Sequence, residues 1–275
     1  MEKERLDVVL VLRGLFASRE KATEAIKKGI IYVNTKQIQK PSFKIGEEEV
    51  VEIVGEQLPY VSKGGLKLEK GIQQFHLDFS NKTVLDIGCS TGGFADCALQ
   101  HGATFVYGID VGSNQLDSRL QTHPQLKYME NLHAKNLQSE HLDGKQMDII
   151  LADVSFISVT QILSFVLPFL KKDGMVFILI KPQFELNQAA LDKNGIVKTA
   201  KQQQTAIERV ITTATNNGLL LQQMDYAPLT SYKKNIEYIA LFSHTIPLKI
   251  VNIKYLVDDA MSKRSILHKN KLEKV

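Results

Sequence analysis

The stretch 83-TVLDIGCSTGGFADC-97 runs from strand-forming residues into a loop and then into an apolar helical run. Between Asp86 and Gly93 it places one carboxylate, three glycines and two hydroxyls. In an open parallel sheet the ligand crevice lies beyond the carboxyl ends of the strands, and this loop begins at such an end. A phosphate-binding P-loop requires a lysine after its final glycine, where this chain has Phe94. The dinucleotide fingerprint requires glycines at its first, third and sixth positions, a spacing that Gly88, Gly92 and Gly93 do not match. The run Asp86, Gly88, Cys89, Ser90, Thr91, Gly92, Gly93 and Phe94 instead suits a ligand with an amino-acid head and a nucleoside tail. S-adenosylmethionine is such a ligand. Its ammonium can meet Asp86, directly or through water, and its carboxylate the N–H groups near the following helix start. Asp110 closes the next strand candidate, where an acid can accept both ribose hydroxyls. The competing reading is a generic strand–turn–helix with glycines for packing.

Working outward, strand candidates 83-TVLDI-87, 104-TFVYGID-110, 147-MDIILAD-153 and 175-MVFILIK-181 alternate with helical stretches 92–102 and 158–170. That alternation predicts an α/β fold: a Rossmann-like, mostly parallel sheet covered on both faces. After a long helix at 199–218, candidates 219–226 and 236–244 form a closing hairpin-like pair. This pair is expected to put one antiparallel strand at the end of the sheet. His133, in 128-YMENLHAKNL-137, is a candidate to flank an adenine, or else a loop residue.

Residues 4–54 have a different rhythm. Leu6, Leu10, Leu12 and Leu15 favour one helix; Ser18 caps a second, which Gly29 ends. Short strand-like pieces at 30–34 and 49–54 follow. Between Lys3 and Lys44 there are ten Lys/Arg against four Asp/Glu, whereas 47-EEEVVEIVGE-56 is acidic. Clustered positive charge is the footprint of a polyanion partner, and a solvated helix face would look similar. Arg5, Arg13, Arg19, Lys21, Lys27 and Lys28 lie on or beside the two helices and are the candidate contacts for such a partner, RNA if the resemblance described below holds. The organisation expected is a small basic domain at 1–58, a linker and helix at 59–82, the sheet domain at 83–246 and a basic C-terminal tail at 247–275.

The longest apolar run, 175-MVFILI-180, is far too short for a membrane span, which needs roughly 20 residues. No export signal is evident at the N-terminus. Two cysteines, Cys89 and Cys97, match no disulfide, zinc or redox pattern and read as packing residues. A cytoplasmic protein with no metal and no membrane partner is expected.

Four charged residues belong to one edge of such a sheet. Asp153 and Lys181 end parallel strands, Glu237 begins an antiparallel one, and Lys67 lies on a helix able to cross the crevice mouth. Two lysines and two carboxylates opposite a methyl donor suit methylation of a ribose 2′-hydroxyl, a poor nucleophile that must lose its proton. A partly buried lysine beside a second ammonium is a plausible base.

The segments RLDVVL, LFASREKATEAIKKGIIYVN and KPSFKI resemble the alpha-L RNA-binding domain of a small-subunit ribosomal protein, pseudouridine synthases and tyrosyl-tRNA synthetases, with Thr35 where glycine is frequent. Over nearly its whole length, through YVSKGGLKLEKGI, LDIGCSTGGFADC, DVSFIS, IKPQFE and NIEYI, the chain resembles the TlyA-type (haemolysin A) family. These are ribosomal RNA 2′-O-methyltransferases with an FtsJ-like catalytic domain. The resemblance implies a catalytic tetrad at Lys67, Asp153, Lys181 and Glu237, with Lys181 as base. It also implies S-adenosylmethionine as donor and a ribose, often of cytidine, in ribosomal RNA or ribosomal subunits as acceptor. The chain departs from the family pattern at 130–135, 186–198 and 230–235, stretches expected to face adenine and acceptor. The alternatives are an RNA-binding or assembly factor with a vestigial cofactor site, and a haemolysin.

Overall fold

The computed structural model describes residues 3–16, 18–54 and 58–272. The end of the acidic stretch, at 55 and 56, and the end of the expected tail, at 273–275, lie outside the described residues. The chain divides into two compact units, Met1–Pro59 and Tyr60–Val275.

The first unit comprises β1 (Glu4–Arg5), α1 (Leu6–Leu12), α2 (Arg19–Lys27), β2 (Ile31–Val33), β3 (Lys36–Gln37), β4 (Lys44–Ile45) and β5 (Val51–Ile53). Its core gathers Leu6, Leu10, Ala22, Ile26, Ile31 and Ile45. Leu12 and Leu15, expected on the same helix face, are exposed, because α1 ends at Leu12 and the chain turns at Gly14. Ser18 accepts from the Lys21 N–H and caps α2, and Gly29 takes the left-handed conformation after it. Asn34 and Thr35, both at positive φ, form the tight turn between antiparallel β2 and β3. The turn therefore closes with threonine in the position where glycine is frequent.

The second unit contains α3 (Lys63–Phe75), β6 (Thr83–Ile87), α4 (Gly93–Gln100), β7 (Phe105–Ile109), β8 (Leu126–Met129), β9 (Met147–Ala152), α5 (Leu163–Val166), β10 (Leu170–Ile180), α6 (Pro182–Glu185), α7 (Ala200–Asn216), β11 (Leu220–Tyr226), β12 (Tyr238–Ser243) and α8 (Ile253–Leu272). Seven strands form one sheet in the order β11-β12-β10-β9-β6-β7-β8. Side chains alternate between two cores. Val176, Ile178 and Ile180 face one together with residues of α5, α7 and α8, while Phe177 and Leu179 face the other together with residues of α3 and α4. Both sheet faces are thus buried, as parallel strands require.

Four expectations need correction. The antiparallel strand is not terminal: β12 pairs antiparallel with both β10 and β11, and β11 forms the edge. Burial explains this order, since every residue of β12 is buried and most of β11 is only partly so. The stretch 126–129, which is not among the expected strands, is the opposite edge strand. The helix expected at 158–170 breaks into a 3₁₀ turn, the four-residue α5 and a second 3₁₀ turn containing Pro168, whose missing N–H cannot continue a helix. The expected tail contains a 20-residue helix, α8, because Val257 and Ala260 are buried against the core.

Candidate active site

Strand register places the charged residues. Ile87, Ile109 and Ala152 end their parallel strands side by side, and Ile180 pairs with Tyr238, the first residue of β12. Asp153 follows Ala152, Lys181 follows Ile180 and Glu237 precedes Tyr238. All three therefore stand one step beyond the same sheet edge. Lys67 comes from the second turn of α3, which Ser62 caps by accepting from the Gly64 N–H.

The first turn of α3 meets the start of α4 at glycine contacts. A Cβ on Gly93 would fall 2.2 Å from Ser62 Oγ and 3.1 Å from Gly65 N. The glycines of SKGGLKL and STGGF therefore bring two helix starts together, and that contact holds Lys67 over the sheet edge. Gly88 has a different reason to be glycine. Its φ is +77°, and a Cβ there would lie 2.8 Å from the Asp153 carbonyl oxygen.

The four charged groups form one chain of ion pairs. Lys67 Nζ lies 2.6 Å from Glu237 Oε2 and 3.9 Å from Asp153 Oδ2, and Lys181 Nζ lies 2.5 Å from Asp153 Oδ1. Lys181 is buried and also donates to Ser155 Oγ at 2.6 Å. These residues border a cleft of about 520 Å³ that Gly88, Cys89, Ser90, Thr91, Gly93 and Phe94 also line. Loop residues near Asn194 and between Ala227 and Asn235 complete its rim.

Asp86, Gly92 and Asp110 do not line the cleft but lie at the base of the loop. Asp86 is fully buried, and neither carboxylate oxygen has a hydrogen-bond partner. Burial pushes its carboxyl up to about 7; the charges of Asp153 and Asp110 act in the same direction, and the nearby Cys89 thiol and Ala95 N–H offset part of the rise. Asp110 accepts the Ser90 N–H at 2.8 Å and the Gly112 N–H at 2.7 Å, one on each oxygen. Phe94 turns its ring into the core, edge-on to Phe177 at 5.9 Å between centroids. The Cys89 and Cys97 thiols are buried, and burial raises both. His133 does not border the cleft; its Nδ1 accepts the Lys135 N–H at 3.1 Å and caps the turn Ala134–Asn136.

Sequence reasoning missed Ser155 and Phe156. Continuing the strand's two-residue alternation past Ala152 puts Asp153 and Ser155 on one side, which was the available signal for the serine. Phe156 is 92% exposed at φ +65°, an unusual conformation for a bulky residue, with Phe184 at 5.3 Å between ring centroids.

In the first unit the basic residues serve different ends. Arg5 donates from Nε and Nη2 to the two oxygens of buried Asp7, both at 2.9 Å, and Arg19 adds a third bond at 3.0 Å. Arg13 donates to the carbonyls of Gly46, Glu47 and Glu49. Lys28 pairs with Glu24 at 2.6 Å, and Lys21 and Lys27 are exposed on α2. Among the described residues no His/Cys/Asp/Glu group is arranged to hold a metal, and no helix is long and apolar enough to cross a membrane.

Comparison with known proteins gives the same division. A family model described as FtsJ-like methyltransferase matches residues 60–243, and one described as S4 domain matches residues 4–51. A Bacillus subtilis protein provisionally named rRNA methyltransferase YqxC is 39% identical over 238 residues, 86% of this chain and 85% of that protein. The 16S/23S rRNA (cytidine-2'-O)-methyltransferase TlyA of Mycobacterium tuberculosis is 30% identical over 237 residues, 86% of this chain and 88% of that protein. A solved structure from Streptococcus thermophilus, provisionally described as a hemolysin, has a TM-score of 0.74 at 34% identity, covering 96% of this chain and 98% of that one.

Proposed function

The chain belongs to the FtsJ-like methyltransferase family, and from that premise we propose that it methylates a ribose 2′-hydroxyl, that of a cytidine, in ribosomal RNA with S-adenosylmethionine as donor. The observation that carries this reading is the ion-pair chain Lys181–Asp153–Lys67–Glu237 in the same cleft as the glycine loop.

The residues at the loop fit the donor. Asp86 keeps an unpartnered buried carboxylate suited to an ammonium. Asp110 has used one lone pair on each oxygen, leaving others for ribose hydroxyls. When bound, S-adenosylmethionine supplies a methyl group activated by its sulfonium. On the acceptor side, Lys181 in its neutral form takes the proton of the 2′-hydroxyl at Nζ. Asp153 and Ser155 fix that nitrogen in place, and Glu237 holds Lys67, which in turn balances the charge of Asp153. Phe156 offers an exposed ring on the same loop, a surface on which an unstacked acceptor base can lie. A ribosomal substrate places the reaction in the cytoplasm.

Replacing Lys181 tests the assignment. Lys181→Ala is expected to lower methyl transfer by about 10²–10⁴-fold, the range of general-base contributions, with S-adenosylmethionine affinity within about threefold of the parent. Near-normal turnover at saturating RNA would remove Lys181 from the role.

A further inference from the structure

Charge around the cleft is unevenly committed. Five lysines line it, Lys63, Lys67, Lys181, Lys233 and Lys234, against the two carboxylates Asp153 and Glu237. Lys67 and Lys181 are occupied by those carboxylates. Lys63, Lys233 and Lys234 are exposed and make no ion pair among the described residues. The cleft mouth therefore carries three positive charges that no ion pair among the described residues neutralises. S-adenosylmethionine does not neutralise them either, since its sulfonium leaves it net positive. The first unit differs: there Arg5 and Arg19 are committed to Asp7, and Arg13 to backbone carbonyls.

We propose that Lys63, Lys233 and Lys234 form a phosphate clamp for the acceptor strand, gripping the phosphodiesters that flank the target ribose. Lys63 opens α3, four residues before Lys67, and the two other lysines precede Glu237 on the loop after β11. Each arm of the clamp is thus continuous with one partner of the Lys67–Glu237 pair. A ribose seated at the tetrad brings its own two phosphates to the surrounding rim. The chemistry selects a polyanionic backbone whose target nucleotide has left its stack, since a stacked duplex cannot lower one ribose into a cleft.

The inference rests on the acceptor being RNA, and it is tested by binding measured apart from turnover. Purified ribosomal RNA is titrated with the full chain across a range of potassium chloride concentrations. The parent is compared with the triple variant Lys63→Gln, Lys233→Gln, Lys234→Gln and with a control, Lys145→Gln, Lys172→Gln, Lys249→Gln. At about 0.7 per phosphate for single strands, the clamp variant is expected to lower the slope of log K against log salt by about 2. The control should change it by less than half as much, and S-adenosylmethionine affinity should be unchanged in both. An unaltered slope in the clamp variant, or an equal fall in the control, overturns the clamp. If the slope falls as expected but the parent transfers no methyl group, the clamp stands and the methyltransferase reading fails.

Discussion

Each unit buries a carboxylate, and the two are treated in opposite ways. Asp7, in the first unit, accepts three guanidinium hydrogen bonds, and the Arg5 guanidinium first, with Arg19 beside it, holds its carboxyl down to about 2. Asp86, in the second, has no hydrogen-bond partner on either oxygen, and burial raises its carboxyl to about 7. A buried polar group without a partner is costly. The difference separates architecture from chemistry: Asp7 is completed by guanidinium groups of its own unit, while Asp86, at the base of the glycine loop, is left with no partner from the chain.

The largest consequence concerns Asp86. Its folded pKa lies above its unfolded value, so the folded state binds the extra proton and stability falls as pH rises from about 4 to about 7. Asp86→Asn removes that penalty. Relative to the parent, the variant should gain on the order of 4 kcal/mol between pH 4 and pH 8, read by urea unfolding of the ligand-free protein. Over the same range its S-adenosylmethionine affinity should fall at least tenfold at pH 8. A stability difference independent of pH would show that Asp86 is already ionised and paired.

Asp7 carries the opposite sign. Its folded pKa lies below the unfolded one, so its stabilisation is present above about pH 4 and is lost as pH falls toward 2. Asp7→Asn at neutral pH is expected to cost about 2 kcal/mol, typical of charge-assisted hydrogen bonds, seen as earlier unfolding of the first unit. S-adenosylmethionine affinity should not change. If Asp7→Asn leaves stability intact but weakens RNA binding, the arginines face outward and the contrast between the units disappears.

Phe156 has the smallest expected effect on stability. Its positive φ stores about 1 kcal/mol of strain, so Phe156→Gly should stabilise the protein by about that amount while raising KM for RNA. Thermal unfolding and saturation kinetics measure the two together. Loss of stability without a change in KM would make the ring a packing residue.

Much of the fold was legible because the parallel strands are nearly continuous apolar runs, such as 147-MDIILA-152 and 175-MVFILI-180, bounded by turns. The tetrad was legible because strand ends fix where Asp153, Lys181 and Glu237 stand. The short edge strand at 126–129 was not, since its four half-buried residues carry no periodic signal. The order of β11 and β12 depends on which strand is buried, a property of the whole sheet. The hydrogen bonds of Arg5 and Arg19 to Asp7 and of Arg13 to backbone carbonyls were hidden for the same reason. Composition counts a guanidinium as positive whether it faces Asp7, a backbone carbonyl or solvent. Gly93 suggested a ligand loop and does line the cleft, but its close approach to Ser62 and Gly65 at the start of another helix carries no signal in the sequence.

The central claim, that the cleft moves a methyl group to a ribose oxygen, has one direct measurement. Ribosomal RNA lacking its 2′-O-methyl groups is incubated with the protein and S-adenosylmethionine bearing a labelled methyl group, digested to nucleosides and resolved by mass spectrometry. The expected product is labelled 2′-O-methylcytidine, absent when Lys181→Ala replaces the parent. Label on a base, or no label although donor and RNA both bind, would contradict the account.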